Sequence, residues 1–229
     1  EMCIRDRIQT KGGIVNITRQ MMINDDLGGI QRMLSGLARA AALTLETAAY
    51  RMLSANSGAG ITLSDSNPLF HASRNNTSAA NALNIVNIDL DYQIMRTHQA
   101  PGSKTGAETY IDFMPHTLLV GLTQRGTARM INDSQYDTDA TSKTSFRPNI
   151  SYGLFTNIVD TPRVAGTKRY IFANPSQDPA IVATFLNGQQ NPFLDTGTTL
   201  NVDGWGAIVR HDFGFNVVDP KAAVYNAGA

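Results

Sequence analysis

The sequence is short of several things that usually announce a function. Cys3 is its only cysteine, which excludes an internal disulfide framework and a cysteine-based metal site. Charged residues make up 17% of 229, and 19 Lys plus Arg balance 19 Asp plus Glu. A dedicated nucleic-acid binder would carry a basic excess. No apolar run approaches the roughly 18 residues that a membrane span needs. Gly58 and Gly60 lack the third glycine and the following Gly-Lys-Ser/Thr of a phosphate loop. His71, His98, His116 and His211 sit in different segments, no two of them three or four residues apart, so no shared metal site is expected and they read as solvated or hydrogen-bonded surface residues. No cofactor is expected either.

What is present is dominated by Asn24–Asn56, NDDLGGIQRMLSGLARAAALTLETAAYRMLSAN. Apolar residues recur in steps of three or four through Ile30, Met33, Leu37, Ala41, Leu45, Ala48 and Met52, the pattern of one helical stripe. Asn24, Asp25 and Asp26 suit a helix N-terminus, and Asn56-Ser57-Gly58 a stop. At about 1.5 Å per residue, such a rod would be roughly 43 Å long. Its alanines leave a smooth surface that other backbone can approach. The spacing also predicts a strand over Gly13–Arg19 and a second helix over Ile88–Gln99, capped by Asn87, with Ile88, Tyr92 and Met95 inward. Ala100–Gly106 reads as a linker. Thr109–Phe113 and Thr117–Val120 read as two strands or one broken at Pro115, and Thr123–Ile131 as helical. Asn132–Asn149 is a polar surface segment. Strands are expected over Tyr152–Val159 and Arg169–Asn174, while Ala180–Leu186 suits strand or helix. Leu200–Asp203 and Trp205–Val218 look paired through an Asp203-Gly204 hairpin turn, with Ile208 and Arg210 on one face and Val209 and His211 on the other.

The search for chemistry yields two weak arrangements. Ser64, Asp65 and His71 are close in sequence, which would allow a small hydrolase using His71 with Asp65, but Ser64 lies in no nucleophile elbow. Trp205 beside the turn would suit a monomeric β-rich binding module, or is simply a half-buried aromatic. Asp89 and Asp91 are explained by a helix start. The triplets at Asn16, Asn76, Asn132 and Asn149 reflect richness in Asn and Thr.

Several blocks together resemble the major capsid proteins of tailed bacteriophages with the HK97-type fold, and in particular the Mu-like head subunit, often encoded fused behind a prohead protease. They are ITRQMMINDDLGG at Ile17–Gly29 with the Ala-rich helix after it, PLFHA at Pro68–Ala72, IDLDYQIMRTHQ at Ile88–Gln99 and FMPHTLLVG at Phe113–Gly121. Later come FANPSQDPAIVATFLNGQQNPFL at Phe172–Leu194 and VDGWGAIVRHDFGFNVVDPKAAVYNAGA at Val202–Ala229. They keep the family's order. The family's usual histidine-glycine continuation after FHA is replaced here by Ser73-Arg74-Asn75-Asn76. Its N-terminal arm and extended loop before the long helix are not seen, and Glu1–Arg7 (EMCIRDR) resembles translated adapter sequence, so an N-terminally truncated chain is expected.

The resemblance implies an α+β subunit with a long spine helix. Residues 1–87 would form a peripheral domain, 88–212 an axial domain, and 213–229 a return strand to the periphery. It implies a structural protein that catalyses nothing and assembles with itself into pentamers and hexamers of an icosahedral head. Scaffold, prohead protease and portal proteins would be further partners, packaged DNA would be met only non-specifically, and no membrane would be involved. The subunit would reside in the virion after assembly in the bacterial host cytoplasm. Expected contact residues are Arg32, Arg39 and Arg51 on the outer face of the spine helix, which would lie near packaged DNA or be a plain solvated face. Asp133, Tyr136 and Asp137 are expected in an axial or intersubunit loop.

Overall fold

A computed structural model describes residues 8–24, 28–100, 109–137, 147–198 and 203–229. Its elements in order are β1 (Gln9–Thr18), α1 (Arg19–Ile23), α2 (Gly29–Ser54), β2 (Thr77–Ser78), α3 (Ile85–Arg96), β3 (Pro115–Gly121), α4 (Arg125–Asp133), β4 (Asn157–Thr161), β5 (Arg169–Ala173), β6 (Ile181–Phe185), β7 (Phe193–Thr198), β8 (Gly204–Val217) and β9 (Ala223–Asn226). The expectations for Glu1–Arg7, Asp25, Asp26, Pro101–Gly106 and Leu200–Val202 fall outside the described residues. The chain divides into two compact units. One comprises Met52–Val182 and Val217–Ala229; the other comprises the described residues up to Arg51 and Ala183–Asn216. These cuts do not coincide with the expected ones after residues 87 and 212.

The first unit is built on a five-stranded sheet in the order β2-β9-β5-β3-β4. β9 runs parallel to β2 and antiparallel to β5; β3 is antiparallel to β5 and parallel to β4. Leu118, Val120, Tyr170, Ile171 and Val224 are buried, as strands covered on both faces require. Ile88 and Met95 of α3 are fully buried with them. The helix starts three residues before the expected Ile88, because Asn84 is the cap: its side-chain oxygen accepts the Asn87 N–H at 2.8 Å. That start puts Ile85, Ile88, Asp91 and Met95 inward and leaves Tyr92 half-buried. Thr109–Phe113 is not a strand. Only Tyr110 bridges, to Gln99, and Asp112 has φ 66°, a left-handed conformation that breaks extension.

In the second unit β8 is the axis of a four-stranded sheet, pairing with β1 on one side and with β6 and β7 on the other. The expected alternation holds: Ala207, Val209, His211 and Phe213 are buried while Ile208 and Arg210 are exposed. Ala180–Leu186 resolves as strand β6. Among the described residues β8 pairs with β7, Thr198 standing opposite Trp205; the expected partner strand Leu200–Asp203 lies, but for Asp203, outside them. Gly204 therefore serves closeness, not a two-residue turn: a Cβ there would lie 2.0 Å from the Ile17 carbonyl oxygen. The single helix expected over Asn24–Asn56 corresponds to α2, Gly29–Ser54, and a separate short helix, α1, precedes it. Thr18 caps the short α1, and Asn24 closes it by donating its backbone N–H to the Gln20 oxygen, so Asn24 is a stop rather than a start. α2 itself runs 26 residues.

Candidate assembly surfaces

Side chains considered for catalysis are engaged elsewhere. Asp65 pairs with Arg74 and accepts the Asn67 backbone N–H at 3.1 Å. Desolvation pushes its carboxyl up, but the Asn67 hydrogen bonds and the Arg74 charge outweigh that and hold it below its usual range. A carboxylate so held is a poor proton acceptor. His71 uses Nδ1 at 2.8 Å from the Ser73 hydroxyl and accepts the Ser73 N–H. Asp65 and His71 thus each have a local structural partner. Trp205 is half-buried in β8, as one of its two readings had it. Among the described residues no three His, Cys, Asp or Glu side chains converge on a metal position, and no helix is long and apolar enough to cross a membrane.

Two of the four histidines are not surface residues. His98 is 2% exposed, with Nε2 2.8 Å from the Asn75 carbonyl oxygen; burial, reinforced by the Lys221 charge, depresses its pKa against the effect of that bond. His211 is 5% exposed, stacked at 19° on Phe185 and 5.1 Å from Phe213. Both were expected outside because histidine is usually so, although the alternation of β8 had already put His211 on the face of Val209.

A buried polar network in the first unit was not visible in sequence. Arg169 and Asp91, both essentially unexposed, form an ion pair of 2.7 Å from Nε to Oδ2. Asn226 Nδ2 donates to the other Asp91 oxygen at 3.2 Å, and Arg169 Nη1 to the Asn81 carbonyl at 2.7 Å. This network ties α3, β5 and β9 to the segment before α3. Asp91 was read as a helix-start carboxylate; with α3 beginning at Ile85 it lies in the second turn and faces inward.

The expected contact residues divide into two groups. Arg32, Arg39 and Arg51 are all exposed along α2, whose only buried side chains among those described are Met52 and Leu53. Asp133 ends α4, and Tyr136 and Asp137 follow it. Tyr136 bridges Pro148, and Asp137 N–H reaches the Arg147 oxygen at 2.8 Å. Buried Asn149 locks this base, donating to the Ile131 and Ser134 carbonyls and accepting the Ser151 N–H. The rest of the expected loop, residues 138–146, lies outside the described residues. Around the base Met130, Tyr136, Ile150 and Tyr152 are more than half exposed, an apolar cluster of the kind that marks a contact surface. In the second unit Ile14 and Ile208 are direct cross-strand partners on the exposed sheet face, 66% and 40% accessible. Beside them Arg210 lies over the ring of Phe193, 4.4 Å from its centroid.

The sequence-family profile described as "Phage capsid protein" matches residues 6–226. Among curated proteins none matches the chain. Solved structures do. The capsid of cyanophage P-SCSP1u is 9% identical with a TM-score of 0.59, covering 98% of this chain and 73% of its own. The capsid of Myoviridae phage XM1 is 11% identical with a TM-score of 0.57, covering 97% and 74%. A phage-related protein of Bordetella bronchiseptica RB50 is 12% identical with a TM-score of 0.57, covering 96% and 73%.

Proposed function

We propose, from the premise that the chain belongs to the phage capsid protein family and has the HK97-type fold, that it is a major head subunit of the Mu-like kind, forming pentamers and hexamers around a packaged genome. The chain is a structural, non-enzymatic component of a phage capsid. The observation that carries this reading is the family match over residues 6–226. In physical terms the function is repeated heterologous contact whose rotations close, each weak interface reinforced because a subunit touches several neighbours.

Within this proposal residues 1–87 act at the periphery, 88–212 around the axes, and 213–229 as the return segment. The ladder β2-β9-β5 contains residues from all three, so these are divisions of role rather than of folding. Asp133, Tyr136 and Asp137, with the exposed apolar side chains beside them, make contacts between copies. Arg32, Arg39 and Arg51 face either solvent or, non-specifically, packaged DNA. Scaffold, prohead protease and portal proteins are the further partners of assembly in the host cytoplasm. Negative-stain electron microscopy of the concentrated protein tests the reading. Closed particles, rings of five or six, or tubes are expected; a population that stays monomeric at every concentration, with or without scaffold, would overturn it.

A further inference from the structure

In the second unit the passage from β6 to β7 and the middle of β8 together border a cleft of about 140 Å3. Asn187, Gln189 and Asn191 line it from the passage, and Arg210 and Asp212 from β8. The passage opens with a tight turn, in which Asn187 has φ 54° and the Gln189 N–H reaches the Leu186 oxygen at 3.1 Å. The three amide side chains are exposed, and none engages another group among the described residues. Arg210 and Asp212 lie two residues apart on one strand and so share a face. Neither forms an ion pair among the described residues. Each is fixed instead by an uncharged neighbour. The Arg210 guanidinium lies 4.4 Å from the Phe193 ring centroid, and Asp212 accepts a hydrogen bond from the Thr10 hydroxyl opposite it on β1. Stacking on a ring leaves the in-plane N–H groups free to donate, and a carboxylate bonded at one oxygen keeps the other.

That set of groups selects a ligand class. The guanidinium only donates, the carboxylate only accepts, and each amide does both. An anion drawn to Arg210 is repelled by Asp212, and a cation drawn to Asp212 is repelled by Arg210. A neutral ligand with several hydroxyls, each both donor and acceptor, satisfies all five groups at once. The edge of Phe193, which also borders the cleft, suits the C–H face of such a ligand.

We propose that this cleft binds one pyranose ring of a neutral sugar, free or within a polysaccharide. Exposed groups around a small volume make a weak site, with a Kd of about 1–10 mM for a single ring. The inference goes beyond the structural role above and does not depend on it. In an assembly of copies the site is repeated, which adds avidity for a polymer carrying many such rings.

Saturation-transfer NMR of the full chain with methyl glucoside, methyl galactoside and methyl mannoside tests it, with dextran as the polymeric arm. At least one probe is expected to receive saturation from the protein. A glycoside signal would show that a free ring suffices, and a signal from dextran alone that the ring must belong to a polymer. Arg210→Gln, Asp212→Asn and Asn191→Ala are each expected to weaken the transfer by about threefold or more, the effect of one lost hydrogen bond, with the melting temperature unchanged. Asn191→Ala alters only an exposed side chain of the passage, so it keeps the test valid if a strand variant misfolds. Three results would overturn the site: no transfer to any probe, full transfer in a folded variant, or displacement of the sugar by an equal concentration of phosphate or glycine. Phosphate would reveal a plain anion site, and glycine a site for zwitterions.

Discussion

In the first unit β9 is buried at all four residues, β3 has no exposed residue, and a charged pair is sealed between α3 and β5. In the second unit β7 is exposed at all six residues, β1 buries only Ile17, and the buried apolar side chains among the described residues are Ile17, Ala207, Val209 and Phe213. Both carry sheets of similar strand number, so secondary structure does not separate them. Burial does. The first unit completes its own core, whereas the second leaves strand faces and most of a 26-residue helix uncovered. Within the function proposed above, these exposed faces are where contacts between copies are to be sought.

The contrast is sharpest at the Asp91–Arg169 pair. Asp91→Ala strands a buried guanidinium and is expected to cost about 3–5 kcal/mol in urea unfolding, while Asp91→Leu with Arg169→Met together should cost much less or nothing. A small effect of the single change would mean that the first unit is as loosely closed as the second. Gly204→Ala breaks the comparison from the other side. It is expected to destabilise the second unit by about 1–3 kcal/mol, because the new Cβ collides with backbone rather than with a movable side chain. The melting temperature reads it directly.

A smaller effect is expected from pH. His98, of ordinary pKa 6.5, is depressed in the folded state by burial and by the Lys221 charge. Unfolding therefore takes up a proton below pH 6.5. The associated stability is intact above that pH and is lost as pH falls through 6.5 towards the folded value, at up to about 1.4 kcal/mol per pH unit. His98→Asn should flatten that part of the stability–pH curve; an unchanged slope would assign it to other groups. The smallest effect is expected from Ile14→Ser with Ile208→Thr on the open sheet face. Monomer stability should move by no more than about 0.5 kcal/mol, while association in sedimentation weakens.

Where periodicity meets burial, the fold was legible: the alternation of Ala207–Phe213 predicted which side of β8 is covered. Gly13–Arg19 and Arg169–Asn174 also read as strands, although β1 is nearly all exposed and β5 nearly all buried. Boundaries were less so, since Asn84 and Asn87 are equally good caps in one dimension and only packing chooses between them. Asp203-Gly204 carries the letters of a hairpin turn, yet its glycine answers to the Ile17 carbonyl, a residue far away in sequence. The same distance hides the ion pair: Asp91 and Arg169 lie on separate elements, and nothing local marks either as buried. Of the surface residues, Arg32 and Arg39 followed from helical phase, because they lie opposite the apolar stripe; Arg51, about 100° round the helix from Arg32, is exposed without lying on that face.

The position of β9 between β2 and β5 also governs timing. Thr77 pairs with Tyr225, and Arg169 with Asn226. A ribosome adding about 5–20 residues per second needs roughly 7–30 s to travel from Thr77 to Tyr225. Throughout that interval the edge of β2 that β9 will occupy lacks its partner, whereas the edge of β5, made from Arg169 onward, waits only roughly 3–11 s. The sheet is therefore completed by the last strand to be made.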